Sequence, residues 1–280
     1  MGDQTTLSLL IAELAADPCW RAPEAFFTRA DAMDRLDLYL VGVEPGDSRD
    51  SAERLIRAME AIDSVLLDDL RERIRLGEGG AALSPWIGTE VVPGQHYDAL
   101  DALLAGLLAI DEPELDNTSL PPEMVRYQPS PARHIVDGIR RACISAGDVV
   151  LDLGSGLGHV PMLVHLLTGA RTRGVEREVV YVESATRAAS ALALGEVSFI
   201  AADAREADLA DVDVFYLFTP FLGTVLRDVL ARMEAEAARR PVRVVALGPC
   251  ARTFARTPWL HCDDPDPSAT DRIVVFRSSR

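Results

Sequence analysis

The sequence predicts an α/β protein in which a doubly wound, largely parallel sheet follows a helical N-terminal domain. Apolar strand-like segments alternate with amphipathic segments from residue 149 onwards, which is typical of a parallel sheet with helices on both faces. The first of these runs, at 149–153, leads into three glycines in alternate positions. Before residue 120, the apolar residues recur at helical spacing instead.

The N-terminal part is predicted to be helical, with no comparable strand signal. Its helices are predicted at 6–16, 30–40, 51–76 and 97–108. Glycines at 77–80 and a Pro-Gly pair at 93–94 are predicted to interrupt them, and 111–122, with three prolines, is predicted to be a linker. We therefore expect an acidic helical domain over residues 1–120 and a second domain over residues 121–280.

In the second domain, Ser130 is predicted to cap a helix that starts at Pro131 and ends near Cys143. The remaining helices are predicted at 159–168, 179–193 and 222–238. The strands between them are predicted at 149–153, 172–176, 197–201, 212–217 and 242–247. Two further apolar segments, 259–262 and 272–277, flank an Asp/Pro-rich turn and predict a terminal antiparallel hairpin.

The segment from Asp152 to Gly158 predicts a nucleotide-type cofactor pocket. Glycines at this spacing leave no side chains between a strand and the next helix, so backbone N–H groups can approach a ligand there. Glu176 ends a second apolar run, where a ribose-binding acid is expected. A dinucleotide site would need a sixth-position glycine, and the chain has His159 there, which disfavours nicotinamide and flavin cofactors.

From about Tyr127 to its end, the chain resembles the class I S-adenosylmethionine-dependent methyltransferases. Asp152 to Gly158, including Ser155, match that family's acid followed by Gly-x-Gly-x-Gly. The resemblance implies a seven-strand sheet, parallel with an antiparallel terminal strand, S-adenosyl-L-methionine as cofactor, and methyl transfer as the activity. The segment from Tyr127 to Pro131 is similar to one in bacterial relatives of the seven-strand protein lysine methyltransferases, whose tyrosine reaches the methionine end of the cofactor.

The same resemblance implies roles for the polar residues that end the strands. Asp152 would organise the methionine portion of the cofactor, and Glu176 would accept hydrogen bonds from both ribose hydroxyls. Asp203 would accept from the adenine amino group, with Ala204 beside the ring. The cofactor would approach closely at three glycines, Gly154, Gly156 and Gly158.

Each of these residues also has an ordinary structural interpretation. The glycines would then serve strand-to-helix packing, and Glu176 would be a solvated surface acid. Asp203 would be a helix cap, and Tyr127 would be a half-buried linker residue.

The fourth strand of the family faces the methyl acceptor, so its end is the predicted acceptor site. Tyr216, Thr219 and Phe221 are expected to face the acceptor, with Tyr127 contributing to the same pocket. Enzymes that methylate base amino groups usually have Asp or Asn before their prolines, and this chain has Thr219 instead. Its loop is more similar to the Tyr-Leu-Leu-Pro loop of the lysine methyltransferase relatives, or is simply an apolar strand end.

The charge of the chain bears on its partners. Formal net charge is -16, and residues 1–120 carry most of it. Because such a field repels phosphates and attracts cations, we expect nucleic acid to be a poor acceptor and a small molecule or basic protein segment with an amine to be a better one. The helical domain would then be a lid for that acceptor, or only a solvated acidic surface.

Several other classes are disfavoured or open. No metal site is predicted, because the four cysteines lack C-x-x-C spacing, and the absence of lysine excludes lysine-based chemistry. No apolar run is long enough for a membrane span and no secretory signal is evident, so we expect a cytoplasmic protein. No catalytic residue or oligomeric state is assigned. The alternative function is a non-catalytic protein that binds S-adenosylmethionine or acts as a scaffold.

Overall fold

The computed structural model describes residues 2–88, 96–113 and 123–279 of the 280-residue chain. The chain forms two compact units, one of Met1–Arg73 with Asp98–Leu107 and one of Ile74–Tyr97 with Leu108–Arg280. The domain boundary predicted at residue 120 lies outside the described residues.

The described residues form ten α-helices and seven strands. The helices are α1 (Gly2–Ala16), α2 (Phe26–Leu40), α3 (Asp47–Arg75), α4 (Gly79–Leu83), α5 (Ala99–Leu108), α6 (Ala132–Ala142), α7 (His159–Thr168), α8 (Val179–Ala191), α9 (Gly223–Ala237) and α10 (Ala251–Phe254). The strands are β1 (Val149–Leu153), β2 (Arg171–Glu176), β3 (Val197–Ala201), β4 (Val214–Phe218), β5 (Arg243–Leu247), β6 (Leu260–His261) and β7 (Val274–Ser278).

The first unit is built from helices around a core of its own. Leu7, Leu36 and Met59 are fully buried in that core. Arg29, also fully buried, forms an ion pair with Asp63 at 2.6 Å and donates hydrogen bonds to three backbone carbonyls. A buried charge of this kind is tolerated because its donors are satisfied.

The second unit is a seven-strand sheet in the order β3-β2-β1-β4-β5-β7-β6. Six strands run parallel, and β7 runs antiparallel to its neighbours β5 and β6. β1 lies centrally and every one of its residues is buried, which explains its nearly unbroken apolar sequence. Strand order reverses between β1 and β4, so a crevice is expected beyond their carboxyl ends.

The predicted fold class is therefore confirmed, and several element bounds are corrected. α8 ends at Ala191 rather than residue 193, because Ala193 has a left-handed φ of 56°. α6 begins at Ala132 instead of Pro131, whose ψ of 133° is extended, and Ser130 forms no cap. The terminal hairpin is confirmed, but β6 has only two residues.

The predicted interruption of the helices at 77–80 is confirmed by the break between α3 and α4, and the one predicted at 93–94 lies outside the described residues. Gly77 does end α3, with a φ of +85°, but Gly79 and Gly80 belong to α4. A Cβ atom at Gly79 would lie 2.9 Å from Leu166 Cδ2 and 3.2 Å from the Leu166 carbonyl oxygen. The glycine thus permits close packing of α4 against α7.

Within the part of the chain that the structure describes, none of the helices combines the length and apolar character needed to cross a bilayer.

Candidate cofactor and acceptor site

A tight turn of three glycines connects β1 to α7. Gly154, Gly156 and Gly158 all have positive φ angles, and Gly158 is the N-cap of α7. The N–H groups of Gly154 and Ser155 both donate to the Val175 carbonyl, at 2.8 and 3.1 Å, which ties the turn to β2. The motif therefore folds into the strand-turn-helix that the sequence predicts.

Protein side chains fill the space beside each of these glycines. A Cβ atom at Gly156 would lie 2.0 Å from Cε2 of Tyr127. The corresponding neighbours are Pro220 at Gly154, at 2.1 Å, and Phe199 at Gly158, at 2.5 Å. The glycines are thus required for close internal packing, which is the structural interpretation left open by the sequence.

A cavity of about 720 Å³ lies over the carboxyl ends of the strands, at the reversal of strand order. Its size is within the range of about 300–1,000 Å³ common for small-molecule sites. The predicted residues that line it are Tyr127, Asp152, Gly154, Ser155, Glu176, Asp203, Ala204, Thr219 and Phe221. Gly156, Gly158 and Tyr216 are not part of its lining.

Asp152 presents a buried carboxyl group to the cavity. It is 4 % exposed and forms no hydrogen bond with the described residues. Burial, with a smaller contribution from the negative charge of Glu176, raises the pKa of Asp152 well above its usual value. Such a group favours a ligand that brings a cation or a hydrogen-bond donor.

Glu176 is anchored by the turns around it. Its Oε2 accepts from the Gly156 N–H at 2.9 Å, and its Oε1 accepts from the N–H groups of Arg177 and Glu178 at 2.7 and 3.0 Å. A carboxylate has about four lone-pair sites, so roughly one remains for a ligand. That is less than the two ribose hydroxyls expected from the sequence would need, because the Gly156 N–H and the two N–H groups before α8 use the rest.

Asp203 combines both roles considered for it. It lines the cavity, and it also caps a short 3₁₀ turn by accepting from the Arg205 N–H at 2.8 Å. The guanidinium of Arg205 donates to both carboxylate oxygens, and these hydrogen bonds lower the pKa of Asp203 to about 2. Asp203 is therefore ionised and held by the protein itself.

Two residues near the glycine turn were not singled out as site residues from the sequence. His159 lines the cavity, and its Nδ1 lies 3.3 Å from the Tyr127 hydroxyl oxygen. Tyr181 also lines it, with its ring centroid 5.0 Å from that of Tyr127. Burial lowers the pKa of His159 to about 4, so the imidazole is neutral at pH 7 and its Nδ1 can accept a hydrogen bond from the Tyr127 hydroxyl.

The positions of His159 and Tyr181 in the sequence were the one signal that could have identified them as site residues. Both stand in the first turns of helices that follow strand ends, which is where an open α/β sheet places ligand-facing residues. The contacts themselves depend on residues far apart in the sequence.

Thr219 is a structural bridge at the end of β4. Its hydroxyl donates to the Leu247 carbonyl at 2.8 Å and accepts from the Cys250 N–H at 3.1 Å, and the residue is 4 % exposed. Its φ of 37° is left-handed, which is rare for a β-branched residue and indicates local strain. The Thr219 hydroxyl, which the sequence predicted to face the acceptor, is thus used in hydrogen bonds with the end of β5 and with Cys250.

Tyr216 lies elsewhere than predicted. It is 1 % exposed, it is paired in register with Asp152 on β1, and its ring packs near Gly138 of α6. Side chains alternate between the faces of a strand, and this position points into the helical layer. Burial raises the pKa of Tyr216 above its usual value, so its phenol stays protonated.

The sheet has six parallel strands, with antiparallel β7 between β5 and β6, and the acid-glycine turn lies at the reversal of strand order. This is the seven-strand sheet that the resemblance to the class I methyltransferases implies. No protein-family model and no curated protein matches the chain. The more specific likeness to the lysine methyltransferase group remains a prediction.

Several solved structures of methyltransferases are similar to this chain. An RNA methyltransferase from Salinibacter ruber, in complex with S-adenosyl-L-homocysteine, is 25% identical over 54% of this chain and 92% of its own, with a TM-score of 0.44. A precorrin-6y C5,15-methyltransferase from Geobacter metallireducens is 14% identical over 56% and 92%, with a TM-score of 0.42.

A third similar structure is a SAM-dependent methyltransferase from Thiobacillus denitrificans in complex with S-adenosyl-L-homocysteine. It is 24% identical over 41% of this chain and 47% of its own, with a TM-score of 0.34. These TM-scores are all below 0.5, so the likenesses carry nothing about the substrate, and the order of the strands carries the fold.

Proposed function

We propose that the protein binds S-adenosyl-L-methionine in the cavity over the sheet and transfers its methyl group to an acceptor in the same cavity. The observation that carries this proposal is the unpartnered carboxyl of Asp152 beside the anchored carboxylate of Glu176, both lining a cavity of about 720 Å³. Two of the similar structures named above contain S-adenosyl-L-homocysteine, which agrees with this choice of cofactor.

The polar groups of the cavity suit this cofactor. Ser155 Oγ is buried, lines the cavity and has no hydrogen-bond partner among the described residues, so it can serve a ligand. Asp152 would hold a donor or cation of the methionine portion. Glu176 would accept from one ribose hydroxyl, and Asp203 with Ala204 would lie at the adenine.

When bound, S-adenosylmethionine supplies an electrophilic methyl group, which an acceptor lone pair takes as the carbon–sulfur electron pair returns to sulfur. The protein has to align the two partners and exclude water. Tyr127 contributes here, because its ring packs against Tyr181 and its hydroxyl proton can be held by His159.

The class of acceptor, the role of the acidic helices and the location of the protein are also proposals. Nucleic acid stays open as an acceptor, although the net charge of -16 opposes it. The acidic helices are proposed as a lid or as a solvated surface, and a steep fall of methyl transfer to a basic peptide with added salt would favour the lid. A cytoplasmic location is also still a proposal.

A thermal-shift experiment tests the cofactor. S-adenosylmethionine and S-adenosylhomocysteine are expected to raise the unfolding temperature, and nicotinamide dinucleotides are expected to have no effect. Glu176→Ala should remove the shift, whereas Glu183→Ala, an exposed acid on α8, should keep it. Stabilisation by a nicotinamide alone would overturn the proposal.

An assay of methyl transfer distinguishes the proposed enzyme from the alternative, a non-catalytic protein that binds S-adenosylmethionine. Radiolabelled methyl transfer to a panel of small acids, amines, basic peptides and RNA is expected to give at least one methylated product. Cofactor binding without any product across that panel would favour the alternative.

A further inference from the structure

The cavity has two halves of different chemistry. One half contains the carboxylates at the ends of β1 and β2 and after β3, Asp152, Glu176 and Asp203, and Glu112 and Glu178 also line the cavity. The other half is lined by the loop after β4 and by residues 124–130 of the segment 123–131, which we call the strap. The second half is the one that the proposed function leaves for the acceptor.

The strap and the loop after β4 form one continuous wall. Met124 pairs with Phe221 in an antiparallel bridge, and the Val125 N–H donates to the Pro220 carbonyl at 3.1 Å. Glu123 holds the base of this wall, since its carboxylate accepts from the N–H groups at the start of α9 at 3.0 and 3.3 Å. The wall is therefore a built part of the fold.

The side chains of this wall are apolar. Met124, Phe221 and Val225 line the cavity and pack on the core, while Val125 and Leu222 are 44 and 37 % exposed at its edge. Thr219 adds no free polar group, because its hydroxyl already binds Leu247 and Cys250. Among the described residues, no carboxylate side chain of this wall lines the cavity, and the lining carboxylates, Glu112 included, belong to other segments.

A single cation completes the wall. Arg126 lines the cavity between Val125 and Tyr127 and is exposed, and it forms no ion pair or hydrogen bond with any described residue. The other arginine of the cavity lining, Arg177, is paired with Glu178 at 2.9 Å. An unpaired guanidinium beside an apolar wall suits a carboxylate, which it can bind through two parallel hydrogen bonds.

We propose that the acceptor is an apolar carboxylic acid, whose uncharged body packs on Met124, Phe221, Leu222 and Val225 and whose carboxylate binds Arg126. This inference rests on the proposed function, because only the methyl donor makes the bound acid an acceptor. It replaces the basic or amine-bearing acceptor expected from net charge, since the local wall determines recognition at short range.

Binding of three matched probes tests this inference: naphthoate, naphthamide and naphthylmethylammonium, which share a ring system and differ in charge. Calorimetry on the full chain saturated with S-adenosylhomocysteine is expected to show naphthoate binding about tenfold more tightly than the ammonium probe. Arg126→Gln should abolish that preference, and Arg187→Gln, an exposed arginine on α8, should keep it. Leu222→Asp should weaken the binding of both naphthoate and naphthamide, because it places a charge on the apolar wall that contacts their shared ring system.

The outcomes are distinct. Tighter binding of the ammonium probe, an unchanged naphthoate preference in Arg126→Gln, or no binding of any probe would overturn the inference. Naphthoate preference without any binding of S-adenosylhomocysteine would instead overturn the proposed function and leave the acid site standing as a separate observation.

Discussion

At the residue scale, Asp152 has the environment that most directly indicates a ligand. The folded protein raises its pKa, so this carboxyl holds its proton to higher pH than the unfolded chain does. Stability is therefore lost as pH rises from the unfolded value through the folded one. A bound cation or donor would offset that loss.

We expect Asp152→Asn to change stability and binding in opposite directions. The unliganded variant should unfold at a higher temperature near pH 7, since the amide carries no buried charge, and its affinity for S-adenosylhomocysteine should fall about tenfold or more. Thermal unfolding and calorimetry measure the two effects. Asp228→Asn, at an exposed position on α9, should change neither. An Asp152→Asn protein that is less stable than the wild type and binds S-adenosylhomocysteine equally tightly would contradict the role of Asp152 in ligand binding.

Gly156 illustrates how a motif serves both packing and site. Gly156→Ala should cost the left-handed backbone penalty of about 1–2 kcal/mol and, in addition, the overlap with the Tyr127 ring. Gly77→Ala is the matched control, because Gly77 has a φ of +85° with no atom within 4 Å. Denaturant unfolding should show a larger loss of unfolding free energy for Gly156→Ala than for Gly77→Ala. In a Tyr127→Ala background, Gly156→Ala should cost no more than Gly77→Ala, because the overlap with the ring is gone. Equal losses at both glycines would contradict the packing role.

At the scale of elements, the ends of β4 and β5 are joined through Thr219. Thr219→Val should destabilise the protein by about 1–3 kcal/mol, because it removes one donor and leaves the Cys250 N–H unpaired. Thr219→Ser keeps the hydroxyl and should lose much less. Urea unfolding checks both variants, and a stable Thr219→Val protein would show that the bridge is dispensable.

The sequence predicts elements best where the pattern is local. β1 has the predicted bounds, since a buried apolar run that ends at a glycine turn can be recognised residue by residue. β3 also has its predicted bounds, although three of its five residues are exposed. The convergence of Asp152, Glu176 and Asp203 also follows from strand order, although their roles remain predictions. The strap over the glycine turn, the contacts of Tyr127 with His159, and the left-handed Thr219 depend on packing between distant segments, which no local pattern records.

At the scale of the whole molecule, the charge is strongly negative and unevenly distributed. Polyanion binding loses the counterion-release gain when the protein surface is acidic. We therefore expect no detectable binding of transfer RNA or duplex RNA in a gel-shift assay at about 0.15 M salt. Tight RNA binding under these conditions would contradict the small-acid acceptor and favour a nucleic-acid substrate.

The most direct measurement of the central claim is a calorimetric titration of the protein with S-adenosylhomocysteine. The account predicts one site per chain in the wild type, and strongly reduced affinity in Glu176→Ala and in Gly156→Arg, whose side chain would enter the space of Tyr127. Circular dichroism would show that the variants remain folded. Absence of binding in the wild type, or undiminished affinity in both folded variants, would contradict the assignment of the cavity.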